Sequence, residues 1–396
     1  MDGDVTMDAA QLERDFSALF AVEPAVFRAP GRVNLIGEHT DYNDGFVMPC
    51  AIGLSTHVAI SGRADRRLVI RSQQRSGECE FEIDQLPPHK IGEWCDYVLG
   101  VARGLQETGH RLQGANLLVR GGVPIGGGLS SSAAIEVASA LALTWLNGIS
   151  LPLTDLAKLC QRAENAFVGA RCGVMDQFVS CLGLAGHALL LDCRSLQFEL
   201  LPIPEHVRLV ICNTMVKHEL AGGEYNRRRQ ECEEGVQRLC RHYPGIRALR
   251  DVTIEQLKKC VDDLPPIIYK RCCHVVEENQ RVCAAAESLR RGDLAGFGER
   301  MRESHRSLRD LYEVSCRELD LMVEAAEGLR GYYGGRMTGG GFGGCTVNMV
   351  EASSAEFFAG QISARYQQTT GIEPAIYLCA AADGAQMESL PADQKR

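Results

Sequence analysis

Between Gly31 and Asn43 the chain reads Gly31-Arg32-Val33-Asn34-Leu35-Ile36-Gly37-Glu38-His39-Thr40-Asp41-Tyr42-Asn43. One arginine, two carboxylates, one histidine and two asparagines fall within 13 residues. Ionised carboxylates accept hydrogen bonds from hydroxyls, and vicinal hydroxyls are what a sugar offers. Arg32 can neutralise a phosphoryl group in transfer, or hold a nearby acid in its charged form. The alternative is a polar turn between two strands. A second acid stands in Arg171-Cys172-Gly173-Val174-Met175-Asp176-Gln177-Phe178, where Asp176 is alone among apolar neighbours. A partly buried carboxylate there suits proton transfer or metal binding; otherwise it is an acid at a helix N-terminus.

The stretch Pro124-Ile125-Gly126-Gly127-Gly128-Leu129-Ser130-Ser131-Ser132-Ala133-Ala134 adds a candidate anion site. Its glycines allow a tight turn and close approach of a ligand to the backbone. The serines offer a helix cap, hydroxyl donors and a metal ligand. The apolar run Ala133 to Leu143 predicts a helix, whose N–H groups and dipole suit a phosphate. An exposed loop ahead of a core helix is the other reading. Known phosphate loops do not account for it, because the chain contains no Gly-Lys, no Asp-Phe-Gly and no His-Arg-Asp. The pattern G-x-G-x-x-G occurs at Gly339, Gly341 and Gly344, after Arg336-Met337-Thr338 rather than a clean apolar strand and with no helix to follow. It is expected to be a decoy. Five glycines in the six positions 339–344 still demand unusual backbone angles or a very close neighbour, lining either a ligand or another backbone.

The elements that must position these residues are mixed. A short amphipathic helix is predicted at 11–20, then strands at 46–60, 67–71 and 79–84. A helix at 93–106, with Trp94, Tyr97, Val98 and Val101 along one face, leads to a strand at 115–120 that feeds the glycine loop. A helix at 153–168 and strands at 187–192 and 197–201 close the first half. The second half opens with a strand at 207–212, followed by charged helices at about 222–243, 267–291, 293–313 and 317–329. It ends with a strand at 345–350, a helix at 353–369 and a strand at 375–379. The order is not strictly alternating, which gives α+β in two domains, 1–200 and 201–396, with the boundary between Asp192 and Val207.

Composition removes several classes. The 396 residues carry a net charge of −9, which argues against nucleic acid and against an anionic membrane surface. Seventeen cysteines without a single CxxC support neither a zinc ribbon nor a thioredoxin-type site. Many sit in apolar runs, as Cys181, Cys193, Cys212 and Cys379 do, which suits small buried hydrophobes in a reducing, cytosolic compartment. The acidic stretch Met1 to Ala10 does not look like a signal peptide. The run Leu182 to Leu191 is too short and too interrupted to cross a bilayer.

Taken together, the Gly31–Asn43 block, the Pro124–Ala134 loop and the Met337–Cys345 loop resemble the three signature motifs of the GHMP small-molecule kinases, in their order and spacing. The first block is similar to the galactokinase signature within that family. Cys172 to Phe178, Glu224-Tyr225 and Ser304 to Asp310 agree with it, so the resemblance spans about residues 20 to 385. It implies an N-terminal domain like ribosomal protein S5 domain 2, a ferredoxin-like C-terminal domain and ATP between them. The phosphates would lie on Gly126, Gly127, Gly128, Leu129, Ser130, Ser131, Ser132 and Ala133, with Trp94 and Tyr97 near the adenine. Ser132 and Glu164 would hold Mg²⁺. Arg32, Glu38, His39, Asp41, Gly173, Asp176 and Tyr225 would form a D-galactose pocket, with Asp176 facing the C1 hydroxyl and Arg32 between it and the γ-phosphate. No protein partner is implied. The rivals are a sugar 1-kinase for N-acetylgalactosamine, and a galactose and ATP sensor without turnover. Thr40 and the turn Asn43-Asp44-Gly45 favour plain galactose over the first. The intact serines 130–132, Arg32 and Asp176 disfavour the second.

Overall fold

The computed structural model describes residues 9–217 and 221–391. Most of the acidic N-terminal stretch, residues 1–8, lies outside them. The first half runs α1 (Ala9–Phe20), β1 (Ala25–Asn34), β2 (Phe46–Val47), β3 (Pro49–Arg63), β4 (Arg67–Ser72), β5 (Glu78–Glu82), α2 (Asp96–Glu107), β6 (Gly114–Gly121), α3 (Ser131–Leu146), α4 (Leu153–Ala163), α5 (Met175–Leu182), β7 (His187–Asp192) and β8 (Phe198–Pro202). The second half runs β9 (Val207–Lys217), α6 (Ala221–Leu239), α7 (Ile254–Lys259), α8 (Pro266–Arg290), α9 (Leu294–Ser307), α10 (Arg317–Ala326), β10 (Tyr332–Thr338), β11 (Gly343–Glu351), α11 (Ala355–Thr370), β12 (Ala375–Cys379) and β13 (Gln386–Ser389). This is the expected mixture of α and β.

Three sheets carry the strands, in the orders β13-β1-β3-β6-β4-β5, β10-β11-β9-β12 and β2-β7-β8. All pairings are antiparallel except β4 with β6. The first sheet is coated by α2, α3, α4 and α5, whose Val98, Leu99, Val137, Leu143, Leu156 and Phe178 share one core with Phe27, Val58 and Ile60 of the strands. Helix α3 is apolar nearly all round, as a helix with no solvent face must be. A second core joins the halves, packing Val33, Leu35 and Leu129 against Val282, Phe297 and Val347. The fold thereby forms a seam with motif residues on both sides.

Several elements depart from expectation. Strand β10 directly precedes the C-terminal glycines, where the sequence showed no clean apolar strand. It holds because Gly334 and Gly335 let α9 and Asn348 approach its backbone closely. The decoy reading stands all the same, since the glycines form the turn of a β10–β11 hairpin and no helix follows. The helix expected at 153–168 ends at Ala163 and passes into one wide π-helical turn, Glu164–Val168, closed by Gly169 in the left-handed region. Such turns recur at functional sites. Strands β1 and β13 were not expected, and helix α5 was expected only as the alternative that makes Asp176 a helix N-terminal acid.

Candidate active site

The three motif segments converge on one cavity of about 390 Å³ at the seam. From the first half, Arg32, Glu38, His39, Asp41, Tyr97, Gly126, Gly128, Leu129, Ser130, Ser131, Ser132, Glu164 and Asp176 line it. From the second half come Tyr225, Gly339 and Gly340.

Arg32 sits near the end of β1, and Asp176 lies in the first turn of α5. Met175, Phe178 and Val179 are buried in the first-half core and fix that turn. The guanidinium meets the carboxylate in bidentate fashion, Nε to Oδ1 at 2.7 Å and NH2 to Oδ2 at 2.9 Å. A third contact comes from the Ser130 hydroxyl, which donates to Asp176 Oδ2 at 2.5 Å. Burial works against the Arg32 charge, but Asp176 and Glu38 outweigh it and its pKa is raised. Charge-assisted, two-pronged pairs of this kind fix geometry as well as charge. Asp176 is thus a helix N-terminal acid that also lines the cavity.

The glycine loop ends at Ser130, held at φ 59°, and opens α3 with no side-chain cap on its first N–H groups. The serine anticipated as a cap has turned to Asp176 instead. That leaves first-turn donors facing the cavity, an arrangement suited to an anion. Arg32 donates to the Gly128 carbonyl at 2.6 Å and thereby ties the loop to the acid–arginine pair. Backbone packs on backbone behind the loop: a Cβ on Gly339 would lie 2.7 Å from Gly128 O, at φ +86°. The C-terminal glycines therefore do both things considered for them, supporting the loop and lining the cavity.

The sugar-type residues come from one compact turn. His39 adopts φ 63°, a strained angle for a non-glycine residue and of the kind found at functional sites. The Asn43 amide donates to its carbonyl at 2.9 Å. Its Nδ1 pairs with Tyr42 OH at 2.7 Å and Tyr42 OH with Tyr312 OH at 2.8 Å, while its buried Nε2 has no well-formed hydrogen bond among the described residues and lies toward the Gly340 backbone. Burial, then His274, pulls its pKa well down, so the ring is neutral. The Glu38 carboxylate accepts from Asn34 Nδ2 at 2.7 Å and from the Gly339 N–H at 2.6 Å, joining the first motif to the third. Burial raises its pKa, against Arg336 and Arg32. Asp41 is pushed up to about 7, by burial first and the Asp176 charge second. Gly173 is absent from the wall. It packs on Asp41, where a Cβ would lie 2.1 Å from Oδ2.

Gly127 and Ala133 also lie off the cavity wall, one under the loop and one in the core of α3. Trp94 is not at the cavity either. Helix α2 begins at Asp96, so Trp94 falls in the preceding turn and packs on the first-half core. Tyr97 faces the site, its hydroxyl pushed up to about 12 by burial and then by Glu164. For a divalent ion the donor set fits: the Ser132 hydroxyl reaches the Glu164 carboxylate beside the glycine loop. Both are hard oxygen ligands of the sort Mg²⁺ takes. Burial raises Glu164, with Asp176 adding to it and Cys172, Ser132 and Gln177 pulling it back. Cavity residues the sequence reading missed include Ile125, Ala170, Cys172 and Met175. Also missed was Glu136, whose signal was a single acid inside an otherwise apolar helix.

Three family models match the chain: the galactokinase galactose-binding signature at residues 14–62, the GHMP kinase N-terminal domain at 96–184 and the GHMP kinase C-terminal domain at 285–368. A galactokinase of Roseiflexus sp. (strain RS-1) is 47% identical over 379 residues, 96% of this chain and 97% of that protein. This chain belongs to the galactokinase family. A galactokinase of Chloroflexus aggregans is 48% identical over 370 residues, 93% of this chain and 95% of its own. The crystal structure of Lactococcus lactis galactokinase complexed with galactose superposes with a TM-score of 0.92 at 33% identity, covering 96% of this chain and 99% of that one. A Methanococcus jannaschii mevalonate kinase, 16% identical with a TM-score of 0.65 over 91% of this chain and 99% of its own, shares the fold. Galactokinase-family proteins are phosphotransferases. No helix among the described residues is long and apolar enough to cross a membrane.

Proposed function

We infer that this galactokinase-family chain phosphorylates D-galactose at its C1 hydroxyl with ATP, giving galactose 1-phosphate and ADP. The supporting observation is the placement of the Arg32–Asp176 pair, with Ser130 on it, between the glycine loop and the cluster Glu38, His39, Asp41 and Tyr225. A phosphate on the loop and a sugar on the cluster would meet at that pair.

The reaction forms a bond between the C1 oxygen and the γ-phosphorus and breaks the bond to the β,γ-bridging oxygen. The C1 hydroxyl proton leaves to Asp176. Such transfers ask mainly for positioning and charge neutralisation. Arg32 neutralises the phosphoryl oxygens and fixes the plane of the Asp176 carboxylate. With three donors on that carboxylate, Asp176 orients the hydroxyl first and takes its proton as the C1–O–P bond forms. Asp41 and Tyr225 receive ring hydroxyls, and neutral His39 presents Nε2 from a ring braced by Tyr42. Glu38 holds the turn to Gly339. Ser132 and Glu164 would hold Mg²⁺, which supplies positive charge to the phosphates when bound. Seventeen unpaired cysteines support a reducing, cytosolic setting.

The test is ADP release from Mg-ATP with D-galactose, N-acetylgalactosamine, glucose or no sugar, with the product's phosphate located by ³¹P NMR. Galactose-dependent ADP with phosphate on C1 is expected. Galactose binding without ADP would return the sensor reading. Reaction of the acetamido sugar alone would overturn the reading of Glu38 to Asn43.

A further inference from the structure

Gln177 follows Asp176 in the first turn of α5, and its side chain is fully buried. Its Nε2 donates to Glu136 Oε2 at 3.0 Å and to Glu164 Oε2 at 2.6 Å, so one NH₂ group serves two carboxylates. Glu136 is fully buried on α3, one turn beyond Ser132 on the same face. Glu164 opens the wide turn after α4 and is 7% exposed. Three helical segments thus meet at one amide nitrogen.

The cluster is costly. Glu136 Oε1, Gln177 Oε1 and Ser139 Oγ are buried and have no hydrogen-bond partner among the described residues. A well-packed apolar trio would serve the core better than two buried acids and an amide. Groups that a core carries against its own stability point to function. We propose that Gln177 is a positioning residue which, braced by Glu136, sets the Glu164 carboxylate toward Ser132, so that the metal-holding pair and Asp176 are placed by one and the same helical turn. The proposal rests on the reading of Ser132 and Glu164 as the Mg²⁺ ligands. Glu164 lines the cavity beside Ser131 and Ser132, whereas Glu136 lies fully buried behind it.

Two variants test it. Gln177→Asn keeps the amide but is one methylene too short to span both acids. Glu136→Met with Gln177→Met replaces the brace by apolar groups and guards against loss of folding through an unpaired acid. The readouts are the Mg²⁺ concentration for half-maximal rate at saturating galactose, and Mn²⁺ binding to the enzyme–ADP complex followed by electron paramagnetic resonance. Galactose affinity without nucleotide is measured by calorimetry. Both variants are expected to raise the half-saturating Mg²⁺ and weaken Mn²⁺ binding by about tenfold, the loss for a hydrogen bond to a charged group, with galactose affinity within about twofold. A purely structural role would lower the melting temperature and leave metal dependence alone. Glu164→Gln separates the two layers. If it shifts metal dependence while both Gln177 variants match the parent, the positioning role is refuted and the metal assignment stands. If Glu164→Gln itself leaves metal dependence unchanged, the assignment of Glu164 falls and the positioning role with it.

Discussion

Replacing Gly173 by alanine adds one methyl group and should separate sugar binding from nucleotide binding. The added carbon would sit 2.1 Å from Asp41 Oδ2, 2.3 Å from its Cγ and 2.7 Å from its Cβ. Non-bonded carbons settle near 3.5–4.0 Å, so the whole Asp41 side chain must swing by roughly 1–2 Å. Gly173 is not among the positive-φ glycines, so alanine introduces no backbone strain there. If Asp41 accepts a sugar hydroxyl, the displacement costs one hydrogen bond to a charged group, about 1.5–3 kcal/mol. At about 1.4 kcal/mol per decade, that is a roughly 10- to 150-fold loss in galactose affinity. Calorimetry at pH 8, where Asp41 is mostly ionised, measures it directly. ATP affinity should stay within about twofold. Asp41→Ala should show a similar loss, and the double variant Gly173→Ala/Asp41→Ala should lose no more than either alone. Parent-like galactose affinity in Gly173→Ala would refute the role given to Asp41. An additional loss in the double variant would show that the methyl group obstructs the sugar itself.

Other outcomes follow from the same geometry. Asp176→Asn should fold and lose about 10²- to 10⁴-fold in turnover, the range for a positioned proton acceptor, as read by single-turnover kinetics. Arg32→Ala should lose about 10³-fold or more, consistent with an arginine that neutralises a phosphoryl group in transfer. Its urea midpoint should also fall, because Asp176 is left with Ser130 as its remaining partner. Asp41 binds its proton more tightly in the folded protein, about 7 against 3.8. Stability of the sugar-free protein should therefore fall as pH rises between those values, by up to about 1.4 kcal/mol per pH unit. Asp41→Asn should flatten that part of a denaturation series. Of the seventeen cysteines only Cys283 is exposed, so a thiol reagent should modify one group readily in the native protein and all seventeen in guanidinium.

Much of this was legible in the sequence, for reasons that differ by residue. Arg32, Glu38, His39 and Asp41 were visible because a short stretch carried more polar chemistry than a turn needs. Helix α2, read from its apolar stripe, and the long charged helix α8 fell close to their predicted limits. Strand β1 was hidden because it is buried along nearly its whole length and so shows no alternation, and α5 because eight residues give too few periods. Trp94 was misplaced because it shares a helix-like spacing with Tyr97 although the helix begins only at Asp96. Gln177 was passed over because its partners lie 41 and 13 residues away, distances no local pattern registers, and Glu136 because a lone acid in an apolar helix does not by itself say what it meets.

Strand β13 gives the chain an order of assembly. It closes the free edge of β1, the strand that carries Arg32, pairing Phe27 with Met387 and Val26 with Ser389. The segment before it is stitched on as well, Ala382 N–H to Ala51 O at 2.9 Å and Gly384 N–H to Gly183 O at 2.8 Å. During synthesis, everything from α1 through β12 is made before this edge can be sealed. A nascent chain not yet extended through β13 therefore leaves the outer edge of β1, an apolar strand paired on its other side with β3, open at the margin of its largest sheet, the kind of edge on which chains aggregate. Strand β13 is in this sense a latch on the edge of the strand that carries Arg32.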